Sequence, residues 1–458
     1  MTPKEKPRLK DLDRQLVWHP FTQMQDYAQE APVVIARADG VYLEDIDGKR
    51  YLDGFSSMWC NVHGHRVREI DDAIRDQLDQ VAHSTLLGLS NVPAIRLAEK
   101  LVDLAPSGLK HVFYSDDGAT AVEAALKMAL QYWRQRSDPR PEKKTFLHFT
   151  ESYHGDTLGA VSVGGIQLFH EAYRPLLFPS LATPAPHPYR CSFCAEARKC
   201  NEECQIALED LLKRNADWIA AFVVEPLVQG AGGLLVHPEG YLKRAADLCR
   251  EYDVLLIADE VATGFGRTGT MFACEQEGIS PDLLCLGKGL TGGYLPVAAT
   301  MASDRIYEAF LGEYEDRKTF FHGHTYTGNP LGCAAALATL ELFEQEGTLD
   351  ALRPKIERLR KGVVRFEDLG QVGDVRQCGL IVAIELVEDR ESRRPYPLEA
   401  RIGTKVCQEA RDRGLLIRPL GNTIVLMPPL TIQMADLDRM LEITRESIRA
   451  VTEPSSAE

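Results

Sequence analysis

Three short apolar runs in the middle of the chain each end on a polar residue or a turn: Phe222-Val223-Val224-Glu225-Pro226, Val254-Leu255-Leu256-Ile257-Ala258-Asp259 and Leu283-Leu284-Cys285-Leu286-Gly287-Lys288. Such runs, without polar alternation, predict strands buried on both faces. Between the first two, Tyr241, Leu242, Ala245, Ala246, Leu248 and Cys249 recur at helical spacing, so Pro238 to Tyr252 predicts a crossover helix. The same grammar occurs earlier. His111 to Tyr114 predicts a strand, Ser115 to Gly118 a turn, and the Ala- and Leu-rich stretch Ala119 to Trp133 a helix. Thr145 to Phe149 adds a further strand. This alternation predicts an α/β fold with a mostly parallel sheet between helices.

From about residue 340 the pattern becomes more charged, with amphipathic stretches around Leu352 to Leu369 and Arg401 to Arg413. A smaller α+β domain is expected there. The strand-turn-strand pattern Val41 to Leu52 is expected to pack with it. The predicted organisation is an N-terminal segment 1–75 packing with the small domain, a large domain 76–335 and a C-terminal small domain 336–458.

Apolar residues at 45% and charged residues at 26% are ordinary for a folded protein. The excess of 67 Asp+Glu over 52 Lys+Arg gives a net charge of −15, which repels phosphate backbones and anionic lipid. Nucleic acid and membranes are therefore not expected partners. No apolar run approaches the roughly 20 residues of a membrane span, and Met1 to Lys6 are not followed by a secretion core, so a cytoplasmic location is expected. Seven of the 11 cysteines (Cys60, Cys249, Cys274, Cys285, Cys333, Cys378 and Cys407) sit among apolar neighbours, as reduced thiols do.

In open α/β sheets ligands bind beyond the carboxyl ends of strands, where Asp259 and Lys288 are placed. A rim salt bridge would account for the two. So would a Lys that forms a Schiff base with an aldehyde and an Asp that keeps a pyridine nitrogen protonated, the electron sink of pyridoxal phosphate. Gly118-Ala119-Thr120 opens a helix whose free N–H groups suit a phosphate, although a Gly there also serves a turn. Tyr153-His154-Gly155 follows a strand, so its ring could lie on a bound pyridine or simply pack. Gly264-Phe265-Gly266 lacks the rest of a dinucleotide fingerprint, and His322-Gly323-His324-Thr325 lacks a carboxylate at metal-ligand spacing.

Taken together, Gly118-Ala119, Tyr153-His154-Gly155, Asp259 to Arg267 and Leu286-Gly287-Lys288-Gly289 resemble the class III pyridoxal phosphate aminotransferases in order and spacing, over nearly the whole chain. More narrowly, Trp18 to Met24, Trp59 to His65, Ala129 to Trp133, Tyr153 to Thr157 and Thr325 to Pro330 resemble the branch that aminates 7-keto-8-aminopelargonate (8-amino-7-oxononanoate) in biotin biosynthesis. The resemblance implies the fold type I of pyridoxal 5'-phosphate enzymes and a homodimer with active sites at the subunit interface. It implies that Lys288 anchors the cofactor and later carries the proton. Asp259 would pair with the pyridinium nitrogen, Gly118 and Ala119 would cradle the phosphate, and Tyr153 would stack on the ring. Thr325 would reach the neighbouring subunit's cofactor phosphate. Trp59, Tyr153, Lys288, Gly323 and Arg418 would contact substrate, Arg418 through the substrate carboxylate. An amino donor and a keto acid would alternate in one site.

Branch members that use S-adenosylmethionine commonly carry a Trp where this chain has Met58, a Tyr where it has Phe21, a Tyr where it has Val425, and a Pro where it has His324. Fewer aromatic faces suit a sulfonium adenosine less well. The donor is expected to be S-adenosylmethionine or lysine, the departures favouring lysine. Cys191, Cys194, Cys200 and Cys204 fall within fourteen residues of a Pro-rich insertion and resemble zinc ligation, but their closing loop is tight for a zinc ribbon and the expected chemistry needs no metal. Two other readings stand beside this one: a class III aminotransferase for an ω-amino acid such as ornithine or 4-aminobutyrate, and a binding protein that kept the fold and lost catalysis.

Overall fold

The computed structural model describes residues 5–191, 193 and 203–453. Its central sheet has seven strands in the order Leu109–Ser115, Ala298–Ser303, Leu283–Leu286, Leu255–Asp259, Ile219–Val224, Thr145–Phe149 and Leu181–Thr183. Neighbours are parallel except around Ala298–Ser303, which runs against both of its partners. Two reversals cancel, so Leu109–Ser115 points the same way as the parallel set. Ser115, Phe149, Val224, Asp259 and Leu286 therefore end along one edge.

Ile219–Val224 and Leu255–Asp259 are buried at every position, which is why they carry no polar alternation. Successive side chains point to opposite faces. Leu255 and Ile257 pack with the helix Gly118–Gln135, whereas Leu256 and Ala258 pack with Tyr241–Glu251. The first helix is fixed by Trp133, fully buried, whose indole N–H donates to the Ala220 carbonyl oxygen at 2.8 Å. That contact belongs to the strand's extra length. The strand begins at Ile219, three residues before the apolar run predicts, because Ala220 and Ala221 are small enough to lie under the helix. The second helix begins at Tyr241 rather than Pro238, since Gly240 enters it in a left-handed conformation (φ 80°).

Two smaller sheets complete the fold. One joins Val372–Cys378, Ile381–Asp389, Thr423–Leu426 and Arg418–Leu420, with Arg394–Pro395 on its second strand. The other joins Ile35–Asp39, Tyr42–Asp45 and Arg50–Asp53 to Leu415–Leu416, Leu52 facing Leu415 in parallel register. The first strands of the chain are thus completed by one of its last. Thr348–Val363 and Ile402–Asp412 form the helices of the amphipathic stretches. Cys194 and Cys200 lie outside the described residues, and Cys191 and Cys204 are buried. Among the described residues no helix is long and apolar enough to cross a membrane.

Candidate active site

The common strand edge opens into a cavity of about 670 Å³ whose lining includes Trp59, Gly118, Ala119, Tyr153, Asp259 and Lys288. Asp259 and Lys288 reach it from neighbouring strands, Asp259 lying opposite Cys285 in the parallel register. Asp259 is 5% exposed, with one oxygen accepting the Val261 N–H at 3.1 Å and the other 2.7 Å from His154 Nδ1. Lys288 stands just past its strand at a positive φ of 44°, the kind of backbone strain that collects at functional sites. Burial lowers its amine from the ordinary lysine value, opposed by Asp259 and Glu225. A lysine so placed is closer to being a nucleophile at neutral pH than an exposed one.

The helix Gly118–Gln135 starts at this edge. Asp117 caps it, accepting the Thr120 N–H at 2.9 Å while the Thr120 hydroxyl accepts the Asp117 N–H at 3.0 Å. The cap leaves the first N–H groups of the helix facing the cavity with its positive dipole end. Only a residue without a side chain fits against that end at position 155. A Cβ on Gly155, whose φ is 118°, would lie 2.3 Å from the Ala119 Cβ.

Tyr153 donates its hydroxyl to Asp156 at 2.8 Å, and its N–H goes to Glu225 at 2.9 Å. Glu225 also accepts the Gly230 N–H at 2.7 Å, and burial pushes its carboxyl up to about 7. Arg418 is partly buried, and burial lowers its guanidinium from the usual value. The Cys407 thiol and the Tyr153 hydroxyl oppose that shift, and Arg418 is not among the residues lining the Lys288 cavity. A planar donor so placed near Tyr153 is suited to a carboxylate brought by a ligand.

Trp59 forms another wall, its ring centroid 5.0 Å from Lys288 Nζ. It ends a run of four residues with positive φ: Ser56 (53°), Ser57 (45°), Met58 (76°) and Trp59 (67°). The Trp59 N–H bonds to the Phe55 carbonyl at 2.9 Å and the Cys60 N–H to that of Ser56 at 3.1 Å, a single turn of left-handed helix. For L-residues this costs roughly 1–2 kcal/mol each, about 4–8 kcal/mol over the turn.

Thr325 and Gly323 do not join this cavity. They line a second one of about 1140 Å³ together with Leu86, Leu87, Ile95 and Phe321. His324 Nδ1 lies 3.1 Å from an oxygen of Asp116, a residue at the rim of the first cavity, without hydrogen-bond geometry. Among the described residues one trio of metal-type ligands converges, His187, Asp374 and Glu385. The Arg376 guanidinium already donates to both carboxylates at 2.7 Å, so a cation stands where a metal would.

Residues 24–448 match the family described as Aminotransferase class-III. The chain belongs to the class III aminotransferases. Within the family, it is 54% identical over 445 residues to the adenosylmethionine-8-amino-7-oxononanoate aminotransferase of Geobacter sulfurreducens, covering 97% of this chain and 98% of that one. The crystal structure of the enzyme of that name from Methanocaldococcus jannaschii superposes with a TM-score of 0.92 at 46% identity, over 97% of this chain and 99% of that one. An omega transaminase from Pseudomonas jessenii in complex with PMP gives a TM-score of 0.92 at 32% identity, covering 97% and 98%. The aminotransferase fold accounts for the strand-end geometry, and catalysis is the common property of the relatives.

Two residues of this site carry no expected role in the sequence. His154 belongs to the Tyr153-His154-Gly155 motif without an assigned part, although its ring is what Asp259 touches. Glu225 looked like the polar end of a strand, and its hold on the Tyr153 and Gly230 N–H groups depends on two loops meeting it. The sequence signal available for both was an ionisable residue at or next to a predicted strand end.

Proposed function

We propose that this aminotransferase aminates 8-amino-7-oxononanoate to 7,8-diaminopelargonate in cytoplasmic biotin biosynthesis, with pyridoxal 5'-phosphate held on Lys288. The observation that carries the reading is the placement of Lys288 and Asp259 on adjacent strand ends, within one cavity that also meets a capped helix N-terminus. The residues fit the cofactor's chemistry. Lys288 is a buried amine for its aldehyde, Asp259 a buried carboxylate for its ring nitrogen, and Gly118 and Ala119 offer N–H groups for its phosphate. When bound, the cofactor supplies an electron sink for the carbon that loses its proton.

In this reading the Lys288 amine would also move a proton to and from the reacting carbon. His154 holds Asp259 in place, Tyr153 covers the ring, and Trp59 bounds the substrate, with Gly323 reaching it only from a second copy of the chain. Arg418 takes the substrate carboxylate. Arg418→Ala is expected to raise KM for the keto acid by on the order of 10- to 100-fold, the worth of a charged hydrogen bond, with a smaller change in kcat. Steady-state kinetics at varied keto acid would check this, and an unchanged KM would remove the assignment.

For the amino donor we favour lysine over S-adenosylmethionine. Phe21 lies edge-on to Phe169, which is edge-on to Tyr153, so this aromatic row ends without a hydroxyl at position 21. Val425 is fully buried opposite Arg418, and Met58 is not aromatic. The purified enzyme given keto acid with each donor separately should form the diamine faster with lysine. Diamine from neither donor would point to an ω-amino acid aminotransferase instead.

We also read the chain as a homodimer, with 76–335 as the cofactor domain and 336–458 closing over it together with 1–75. Leu87 at 90% exposure, Leu89, Ile95 and Phe321 leave an apolar surface around the second cavity. A second copy docked there would bring Thr325 to the partner's phosphate cradle. Sedimentation at the mass of a single 51.0 kDa chain would rule this out.

A further inference from the structure

Of the motif Trp59 to His65, the proposed function uses only the first residue. The remainder ties down the left-handed turn that carries it. Asp53, fully buried at the end of the strand Arg50–Asp53, accepts the Ser57 N–H at 3.0 Å on one oxygen and the Ser57 hydroxyl at 2.8 Å on the other. The second oxygen also lies 3.0 Å from His65 Nε2.

The protonation of His65 follows from its neighbours. Asn61 accepts the Gly64 N–H on Oδ1 at 2.8 Å, so its Nδ2 is the atom that donates to His65 Nδ1 at 3.2 Å. Nδ1 is then an acceptor and Nε2–H the donor to Asp53. The ring of bonds from Asp53 through His65 and Asn61 closes on the segment that follows Trp59. At the other end of the turn the Ser56 hydroxyl donates to the Met427 carbonyl at 2.6 Å. Arg267, fully buried, donates to the Asn61 and Pro428 carbonyls at 2.7 Å each, so the turn and the 427–428 segment are held to one another.

The four residues in this conformation include no glycine, so local preference opposes it at every position. A right-handed turn over the same residues would leave the strand with the opposite sense and change the direction in which Trp59 is presented. The indole also meets the backbone of Gly230, where an added Cβ would lie 3.1 Å from Trp59 Cζ3. The wall beside Lys288 is therefore set by the handedness of one turn.

We propose that Asp53, Ser57 and His65 are positioning residues that hold residues 56–59 left-handed and thereby fix the Trp59 wall that selects which amine reaches Lys288. The selection rests on the proposed aminotransferase site; the clamp itself does not.

The test uses the full-length holoenzyme with Asp53→Ala, Ser57→Ala and the double variant Asp53→Ala/Met58→Gly. Two quantities are read: amide hydrogen exchange at Trp59 and Cys60, and the ratio of kcat/KM for a linear amine to that for an aryl-substituted amine. Asp53→Ala is expected to speed exchange at both amides by about tenfold or more. It should also shift the amine ratio by about fivefold or more, because a loosened wall affects a bulky amine differently from a linear one. Ser57→Ala should move both quantities the same way by less. Glycine removes the steric penalty that Met58 pays at its positive φ, so adding Met58→Gly should return the exchange rates part of the way toward those of the unaltered enzyme. A merely structural role for Asp53 would not be rescued this way.

Unchanged exchange at Trp59 and Cys60, or loss of all amines by one common factor, would overturn the proposal. If Asp53→Ala does not fold, Ser57→Ala decides by the same readings, Ser57 being only partly buried. If the unaltered enzyme turns over no amine, the function reading fails while the exchange rates still decide the clamp.

Discussion

Lys288→Ala protein should fold, lose the long-wavelength absorbance of a lysine-bound cofactor on desalting, and turn over amine and keto acid at least about 10⁴-fold more slowly than the unaltered enzyme. The size of the loss comes from asking one side chain to do two jobs. In the proposed reading its amine is the covalent anchor, made available by burial that lowers it from the ordinary lysine value. It is also the group placed to carry the proton, with Asp259 on the neighbouring strand end and Trp59 across the cavity. Alanine removes both functions. The backbone should tolerate the change even though φ at this position is 44°, because the next residues, Gly289 to Thr291, are buried and fixed by their own packing. Spectra before and after desalting, with single-turnover kinetics, would check the prediction, and a variant retaining more than about a hundredth of the activity would contradict the anchor assignment.

The second large effect is expected at Asp259. Asp259→Asn keeps the shape and can still accept the Val261 N–H, but it removes the negative charge that would keep a ring nitrogen protonated. A fixed charge in a water-poor site is worth about 10²–10³-fold in rate, so the amine half-reaction should slow by that order. Cofactor should remain bound through Lys288, which distinguishes this variant from Lys288→Ala. His154→Ala should produce a smaller loss in the same direction, since it frees one Asp259 oxygen without removing the charge. Equal rates for Asp259→Asn and the unaltered enzyme would show that Asp259 plays no electronic part.

The predicted strands and helices lie close to where the apolar pattern puts them, because both sheet faces are covered and the middle strands are apolar at every position except the terminal Asp259. Thr145–Phe149 agrees residue for residue. Gly118, Ala119, Tyr153, Asp259 and Lys288 line a common cavity for a reason visible in the sequence, as each lies at or just beyond the carboxyl end of a predicted strand.

Other parts required distances that the sequence does not carry. His154 becomes a partner of Asp259 only when its loop crosses the end of another strand. The left-handed turn at Ser56 to Trp59 has no Gly or Asn to announce it, and its Ser56 and Ser57 side chains bond to distant partners, Met427 and Asp53, that the local sequence does not reveal. Thr325 and Gly323 line a different cavity from Lys288 within one chain, so their expected role depends on a second copy.

The pairing of Arg50–Asp53 with Leu415–Leu416 has a consequence in time. Ser56 and the Met427 carbonyl it bonds to are 371 residues apart, so at a synthesis rate of about 5–20 residues per second the ribosome takes on the order of 20–70 s to deliver the second after the first. The segment bearing Trp59 emerges early, yet it lacks the strand and carbonyl that hold its turn until nearly the whole chain has been translated. The seven-stranded sheet, complete by Ser303, is free to form well before then. During translation the nascent chain would thus carry a formed reactive-lysine edge with one wall missing, and the site would close only after Met427 has been delivered.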